Sequence, residues 1–240
     1  MTETKSYETI AANVAAVREN MRQAALQAGR DPEEITLVAA TKVQTSQTIR
    51  NAIQAGITVC GENRVQELVA HLEDDAYAGA RVHFIGHLQT NKVKFVVGKV
   101  DMIESIDSQR LMDAVEKQAA KVGVVQDILL EVNIGAEASK SGAAPGEVRA
   151  LAEYAAAKPH VLVRGLMAIP PAEEAPGQAR RYFAQMKNLF DKLAGAHIER
   201  APMEILSMGM SGDFESAILE GATLVRVGTA IYGARAYGRA

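Results

Sequence analysis

A short apolar run followed by a longer stretch of helical periodicity recurs eight times along this chain. The apolar runs fall at 35–41, 57–61, 82–86, 101–106, 128–133, 161–168, 204–208 and 223–228. Their length and composition suit strands covered on both faces. Helical patterns follow near 46–55, 62–73, 90–97, 108–122, 146–157, 176–194 and 212–220, with a last short one after 230. Every crossover is long enough for a helix and none has the two-residue turn of a hairpin, so the strands are expected to run parallel. Eight such units in 240 residues fit a (β/α)8 TIM barrel, which needs about 250 residues. An open doubly wound sheet is the alternative. It calls for a glycine-rich first turn, whereas the turn after the first strand reads Thr41-Lys42-Val43-Gln44. The expected fold is therefore α/β, a single barrel domain over residues 1–240, preceded by an extra N-terminal helix over 7–28. In that helix Ile10, Val14, Val17, Met21 and Ala25 recur at three- and four-residue steps and Gly29 offers a C-cap. The loosest segment runs from Pro170 to Gly177 and reads as a mobile loop on the strand-six side.

Several classes of function are disfavoured. The formal net charge is -3 with no block of like charges, which argues against nucleic acid or an anionic membrane as the main partner. The lone cysteine, Cys60, cannot form an internal disulfide, as suits a reducing cytoplasm. Its place in a buried strand points to inert packing. The N-terminal residues lack the apolar region of a signal peptide, and no apolar stretch approaches a membrane span. No cluster of His, Cys, Asp and Glu has the spacing of a metal site. A cytoplasmic protein is expected.

In a barrel of this kind, reactive groups belong at the C-terminal ends of the strands. Those positions give Lys42, Glu62-Asn63, His87, Asp107, Asn133, Met167, Ser207 to Ser211 and Arg226 to Thr229. Lys42 follows the buried run ITLVAAT. Desolvation there favours the neutral amine, the form that attacks an aldehyde carbon. The plainer reading is a rim lysine, solvated or paired with a carboxylate such as Glu62. Ser211 stands where it would cap the helix after strand seven, in a small-residue turn whose amides suit a phosphate. The plainer reading is a capped helix that binds nothing. Arg226-Val227-Gly228-Thr229 ends the eighth strand, next to the usual phosphate cradle of such barrels. An inward Arg226 needs an anion, and its internal partner would be Glu104 or Glu131. A lysine nucleophile beside a phosphate cradle across the barrel closure describes a site for a phosphorylated aldehyde. His71 and Asp74-Asp75 read as a solvated helix end.

The segments AATK (39–42), GENRVQE (61–67), HFIGHLQTNK (83–92), SKSG (139–142), RGLMAIP (164–170), SMGMSGDFESAI (207–218) and VRVGTAIYGAR (225–235) resemble the pyridoxal phosphate homeostasis protein family over nearly the whole chain. The resemblance implies the barrel of fold-type III pyridoxal phosphate proteins, related to the N-terminal domain of alanine racemase. It implies that Lys42 holds pyridoxal 5′-phosphate as a Schiff base. Ser211, Gly228 and Thr229 would hold the phosphate, Arg226 would face the pyridine nitrogen, and Asn63 and Met167 would line the ring. Only neighbouring positions depart from the pattern, such as Met208, where the family often carries leucine.

A cation beside the ring nitrogen disfavours its protonation and makes the cofactor a weaker electron sink. The chain stops after the eighth unit, without the further β domain that supplies a second base in racemases. Tyr232 and Tyr237 are expected only to pack. The expected role is therefore intracellular cofactor homeostasis by a monomer with no catalytic residues, a carrier that buffers pyridoxal phosphate and hands it on to pyridoxal phosphate-dependent apoenzymes. The alternatives are an amino-acid racemase or other true enzyme on the same Schiff base, with His87 as the second acid/base, and a cofactor-free barrel aldolase or phosphate-sugar enzyme in which Lys42 attacks a substrate carbonyl. Lys140 is the next lysine to examine for adducts.

Overall fold

The computed structural model describes residues 4–137, 141–171 and 177–233. Its first strand, β1 (Thr36–Ala40), is buried along almost its whole length, as an apolar run must be when it is covered on both faces. The strands β2 (Val59–Glu62), β3 (Arg81–Phe84), β4 (Met102–Ile106), β5 (Gln126–Val132), β6 (Val161–Ala168), β7 (Ile205–Ser207) and β8 (Leu224–Val227) follow in order. They pair in parallel and close into a barrel in which β8 returns to β1. At the seam Val38 pairs with Arg226 and Ala39 with Val227.

The helices α2 (Ser46–Gln54), α3 (Val65–Glu73), α4 (Gln109–Val122), α5 (Val148–Ala155), α6 (Gln178–Ala194), α7 (Phe214–Leu219) and α8 (Thr229–Tyr232) follow strands β1, β2, β4, β5, β6, β7 and β8. The extra N-terminal helix is α1 (Tyr7–Gln27), whose buried stripe Ile10, Val14, Val17 and Met21 covers the outside of the seam against α2, α7 and α8. Ser6, Thr45 and Ser108 start α1, α2 and α4 by accepting from amides three residues on, each worth about 1 kcal/mol. The segment expected as a helix over 90–97 is instead a 3-10 helix, Thr90–Phe95. Its tighter i to i+3 bonds, Lys92 to Gln89 and Val96 to Val93, suit a short piece crowded by β-branched valines.

The barrel interior holds two small apolar clusters, Val38, Val59 and Leu224 on one side and Met102, Leu129 and Met167 on the other. The larger core lies between strands and helices. Alternation along β4 and β6 is broken by register shifts, at Ile103/Ile106 and where Leu129 pairs with Gly165 rather than the expected Arg164. Among the described residues no helix is long and apolar enough to cross a membrane.

Candidate functional site

A chain of polar side chains crosses the barrel interior, where apolar filling would be the default. Arg226 of β8, 4% exposed, donates from Nη1 to Ser207 Oγ of β7 and from Nη2 to the Ala168 carbonyl of β6 at 3.0 Å. Ser207 Oγ donates to Glu104 Oε2 at 2.6 Å, and His83 Nδ1 lies 2.7 Å from Glu104 Oε1. Glu104 and Arg226 are themselves 3.9 Å apart. Burial would push the Glu104 carboxyl up, but the hydrogen bond and charge of His83, then Arg226 and Ser207, hold it below the usual carboxylate range. Burial pulls Arg226 down while Glu104, Glu131 and Asp213 oppose it. A guanidinium stays protonated under such pressure. The internal partner expected from sequence, Glu104, is thus present.

Glu131 of β5 is 8% exposed, and its carboxyl is pushed up to about 7 by burial first and Asp107 second, against Arg226. The folded state therefore keeps a proton that the unfolded chain releases at about 4.5. The contribution of Glu131 to stability therefore falls as pH rises from about 4.5 to about 7, by on the order of 3 kcal/mol. Glu131→Gln is expected to abolish that loss, so that urea unfolding at pH 5 and pH 8 gives closer values than in the parent protein. An unchanged pH slope would show that Glu131 titrates normally.

Lys42, half-buried, sits in a turn closed by the Gln44 amide donating to the Thr41 carbonyl at 3.0 Å. The Ala40–Gly61 pairing brings this turn beside the end of β2, where Asn63 Oδ1 is buried with no hydrogen-bond partner among the described residues. The Glu62 carboxylate is engaged with Thr41 Oγ1, the Tyr77 hydroxyl and the Asn63 amide, on the side of the strand that faces α3.

Across the seam, Ser211 Oγ accepts from the amides of Gly228 at 3.1 Å and Ala230 at 3.3 Å. Ser211 therefore serves the start of α8, whereas the sequence suggested a cap for the helix after β7. The N-cap position of α7 belongs to Asp213, which accepts from the Met210 amide at 2.6 Å. The reason is the packing of the two loops: Arg226 N donates to the Gly209 carbonyl, so the nearest unsatisfied amides belong to the last helix. Gly209 makes this possible, with φ +94° and an added Cβ only 2.6 Å from Ala217 Cβ.

The residues expected at the site thus lie at one end of the barrel. Ser211 meets Gly228 at the first turn of α8, where Thr229 is exposed. Met167 is buried beside the carbonyl that holds Arg226, and Lys42 and Asn63 follow the adjacent ends of β1 and β2. His87 is exposed and contacts Ser141. Lys140, Tyr237 and the middle of the Pro170–Gly177 segment lie outside the described residues. Tyr232 is buried. Cys60 is fully buried, and burial, then Glu62, pushes its thiol up to about 12. His71 is not part of a solvated helix end: it is 7% exposed and contacts Tyr77 and the Gln44 carbonyl, because Tyr77 covers it. Sequence reasoning passed over His83 and named Ser207 only as a strand-end position; counting inward positions on β3 and β7 would have placed both under Arg226.

An amine, a fixed guanidinium, an unsatisfied amide oxygen and a serine hydroxyl at one barrel mouth suit an anionic carbonyl compound. Residues 12–236 match the family model described as alanine racemase, N-terminal domain. The chain is 44% identical over 221 residues to the pyridoxal phosphate homeostasis protein of Aquifex aeolicus, covering 92% of this chain and 96% of the relative. It is 39% identical over 233 residues to that of Escherichia coli K12, covering 96% and 98%. The structure of PipY from Synechococcus elongatus with pyridoxal phosphate bound is 31% identical, with a TM-score of 0.80 over 93% of this chain and 100% of that one. Alanine racemase from Corynebacterium glutamicum shares the fold, with a TM-score of 0.73 at 16% identity over 99% of this chain and 64% of that one. With these relatives spanning nearly their whole length, the chain belongs to the pyridoxal phosphate homeostasis protein family, within the alanine racemase N-terminal domain group.

Proposed function

We propose that this protein binds pyridoxal 5′-phosphate through a Schiff base on Lys42 and acts in cytoplasmic cofactor homeostasis, as a monomer that buffers pyridoxal phosphate and passes it to apoenzymes. The observation that carries this reading is the β8–β1 seam, where Ala39 pairs with Val227 and Gly228 lies against Ala40, so that the Lys42 turn leaves the barrel beside the contact of Ser211 with Gly228. The residues present fit the group. Gly228, Thr229 and the hydroxyl of Ser211 would hold the phosphate, and the orphaned Asn63 Oδ1 and the buried Met167 would line the ring. Arg226, held on three sides, would present its charge to the ring nitrogen. When bound, the cofactor supplies an aldehyde that condenses with amines.

The interior favours holding over turnover. Arg226 is fixed in place by Ser207, Ala168 and Glu104, so no carboxylate stands in for it to keep a ring nitrogen protonated. The racemase alternative requires a second proton-transfer group, and His87 stands on an exposed loop against Ser141. The expected result is a visible absorbance on adding pyridoxal phosphate, which borohydride fixes on the Lys42 peptide. Lys42→Ala should lose the fixed adduct completely, while keeping a weaker, dialysable complex through the phosphate contacts. A borohydride-stable adduct elsewhere, or none in the parent protein, would refute the assignment. Interconversion of alanine enantiomers that disappears in Lys42→Ala would favour the racemase.

A further inference from the structure

We propose that Glu67, assisted by Glu62 and His71, positions Lys42 by holding the Thr41–Gln44 turn from outside the barrel in a conformation that its own backbone disfavours. The next residue, Val43, has φ +59°, the left-handed region, which a β-branched side chain enters only under external constraint. Neighbouring side chains supply that constraint. The Val43 amide donates to Glu67 Oε2 at 2.7 Å, a charge-assisted bond of the strong kind. On one flank Thr41 Oγ1 donates to Glu62 Oε2 at 3.0 Å. On the other, His71 Nε2 lies 3.2 Å from the Gln44 carbonyl.

These contacts form one cluster. The Tyr77 hydroxyl donates to Glu62 Oε2 at 3.2 Å and lies 3.1 Å from His71 Nδ1. Glu62, His71 and Tyr77 are all buried, and Glu67 is further anchored by Arg64 at 3.1 Å. The groups that the cluster touches, the Thr41 hydroxyl, the Val43 amide and the Gln44 carbonyl, lie on both sides of Lys42, yet no member need touch a ligand. This gives the GENRVQE segment a physical meaning. Glu62 ends β2 and Glu67 lies in the first turn of α3, and the sharp entry into the helix brings both carboxylates to the same turn. The inference rests on the proposed function only in taking Lys42 as the reactive amine.

The test is a double-mutant cycle between E67A and V43G, with E67Q as the conservative control. Glycine enters the left-handed region freely, so the V43G turn needs no clamp. Two readouts are taken: hydrogen exchange of the Gln44 amide in the protein without added cofactor, and the rate of borohydride-trappable addition of pyridoxal phosphate at Lys42. E67A should accelerate Gln44 exchange and slow addition, each about ten-fold, the scale of one lost hydrogen bond to a charged group. E67Q, which keeps an acceptor oxygen, should recover most of both. In the V43G background E67A should add little, and this non-additivity is what a positioning role requires. Unchanged Gln44 exchange in E67A, an equal penalty in both backgrounds, or faster exchange spread to core amides such as Leu129 would each overturn the proposal. A parent protein that forms no adduct at Lys42 would refute the cofactor reading, while Gln44 exchange would still decide whether Glu67 holds the turn.

Discussion

Replacing Glu104 by alanine is expected to lower folding stability by about 3–5 kcal/mol, the cost of leaving one partner of a buried pair uncompensated. Arg226 is 4% exposed and Glu104 fully buried, so no water can take over the lost charge. Ser207 would keep its bond to the guanidinium but lose its acceptor, and His83 would lose the carboxylate at its Nδ1. The midpoint of thermal unfolding should drop by roughly 10 °C in a chain of this size. Removing both charges, Glu104→Leu with Arg226→Met, should return most of that loss, since an apolar pair of similar volume is often no less stable than a buried ion pair. Urea denaturation of the two variants beside the parent separates the cases. A single variant within 1 kcal/mol of the parent would mean that Arg226 is solvated or satisfied without Glu104. The comparison also bears on function, because a polar chain that apolar residues could replace without loss is retained for what it presents at the barrel mouth.

Much of this architecture was legible because the strands are short, apolar and separated by long crossovers. Eight such units leave few alternatives to a parallel barrel, and placing chemistry at strand ends brought out Lys42, Arg226 and Gly228. The details that escaped share one physical cause: they depend on residues distant in sequence. Ser211 has the propensity of a cap, but propensity cannot say that the amides it reaches are 17 and 19 residues downstream. His71 lies next to Asp74 and Asp75 and so looks solvated; only the fold of the α3–β3 loop lays Tyr77 over it. The left-handed conformation of Val43 runs against local preference and is visible only with Glu67 in place. Register shifts in β4 and β6 likewise break the two-residue alternation from which inward positions are counted.

One of those shifts leads to the second large effect. Gly165→Ala is expected to destabilise the barrel by roughly 4 kcal/mol or more, among the largest effects of a single methyl group. An added Cβ would lie 1.8 Å from the Ile205 carbonyl oxygen and 2.7 Å from its carbon, both backbone atoms that cannot rotate aside. The glycine also has φ +156°, which L side chains rarely adopt. Its position explains the requirement. Ile128 pairs with Val163 but Leu129 with Gly165, so β6 carries one extra residue, Arg164, bulged out of the ladder. Val163 and Leu166, three residues apart, therefore both face the outer core, while Met167 turns inward. Without the bulge, a one-residue slip would exchange the faces of the strand end, taking Met167 out of the interior and moving the Ala168 carbonyl away from Arg226. The variant should therefore unfold at lower urea concentration and also bind pyridoxal phosphate more weakly in whatever fraction stays folded. A Gly165→Ala protein within 1 kcal/mol of the parent would show that β6 can close the barrel without the bulge, and the link between that irregularity and the placement of Arg226 would fall.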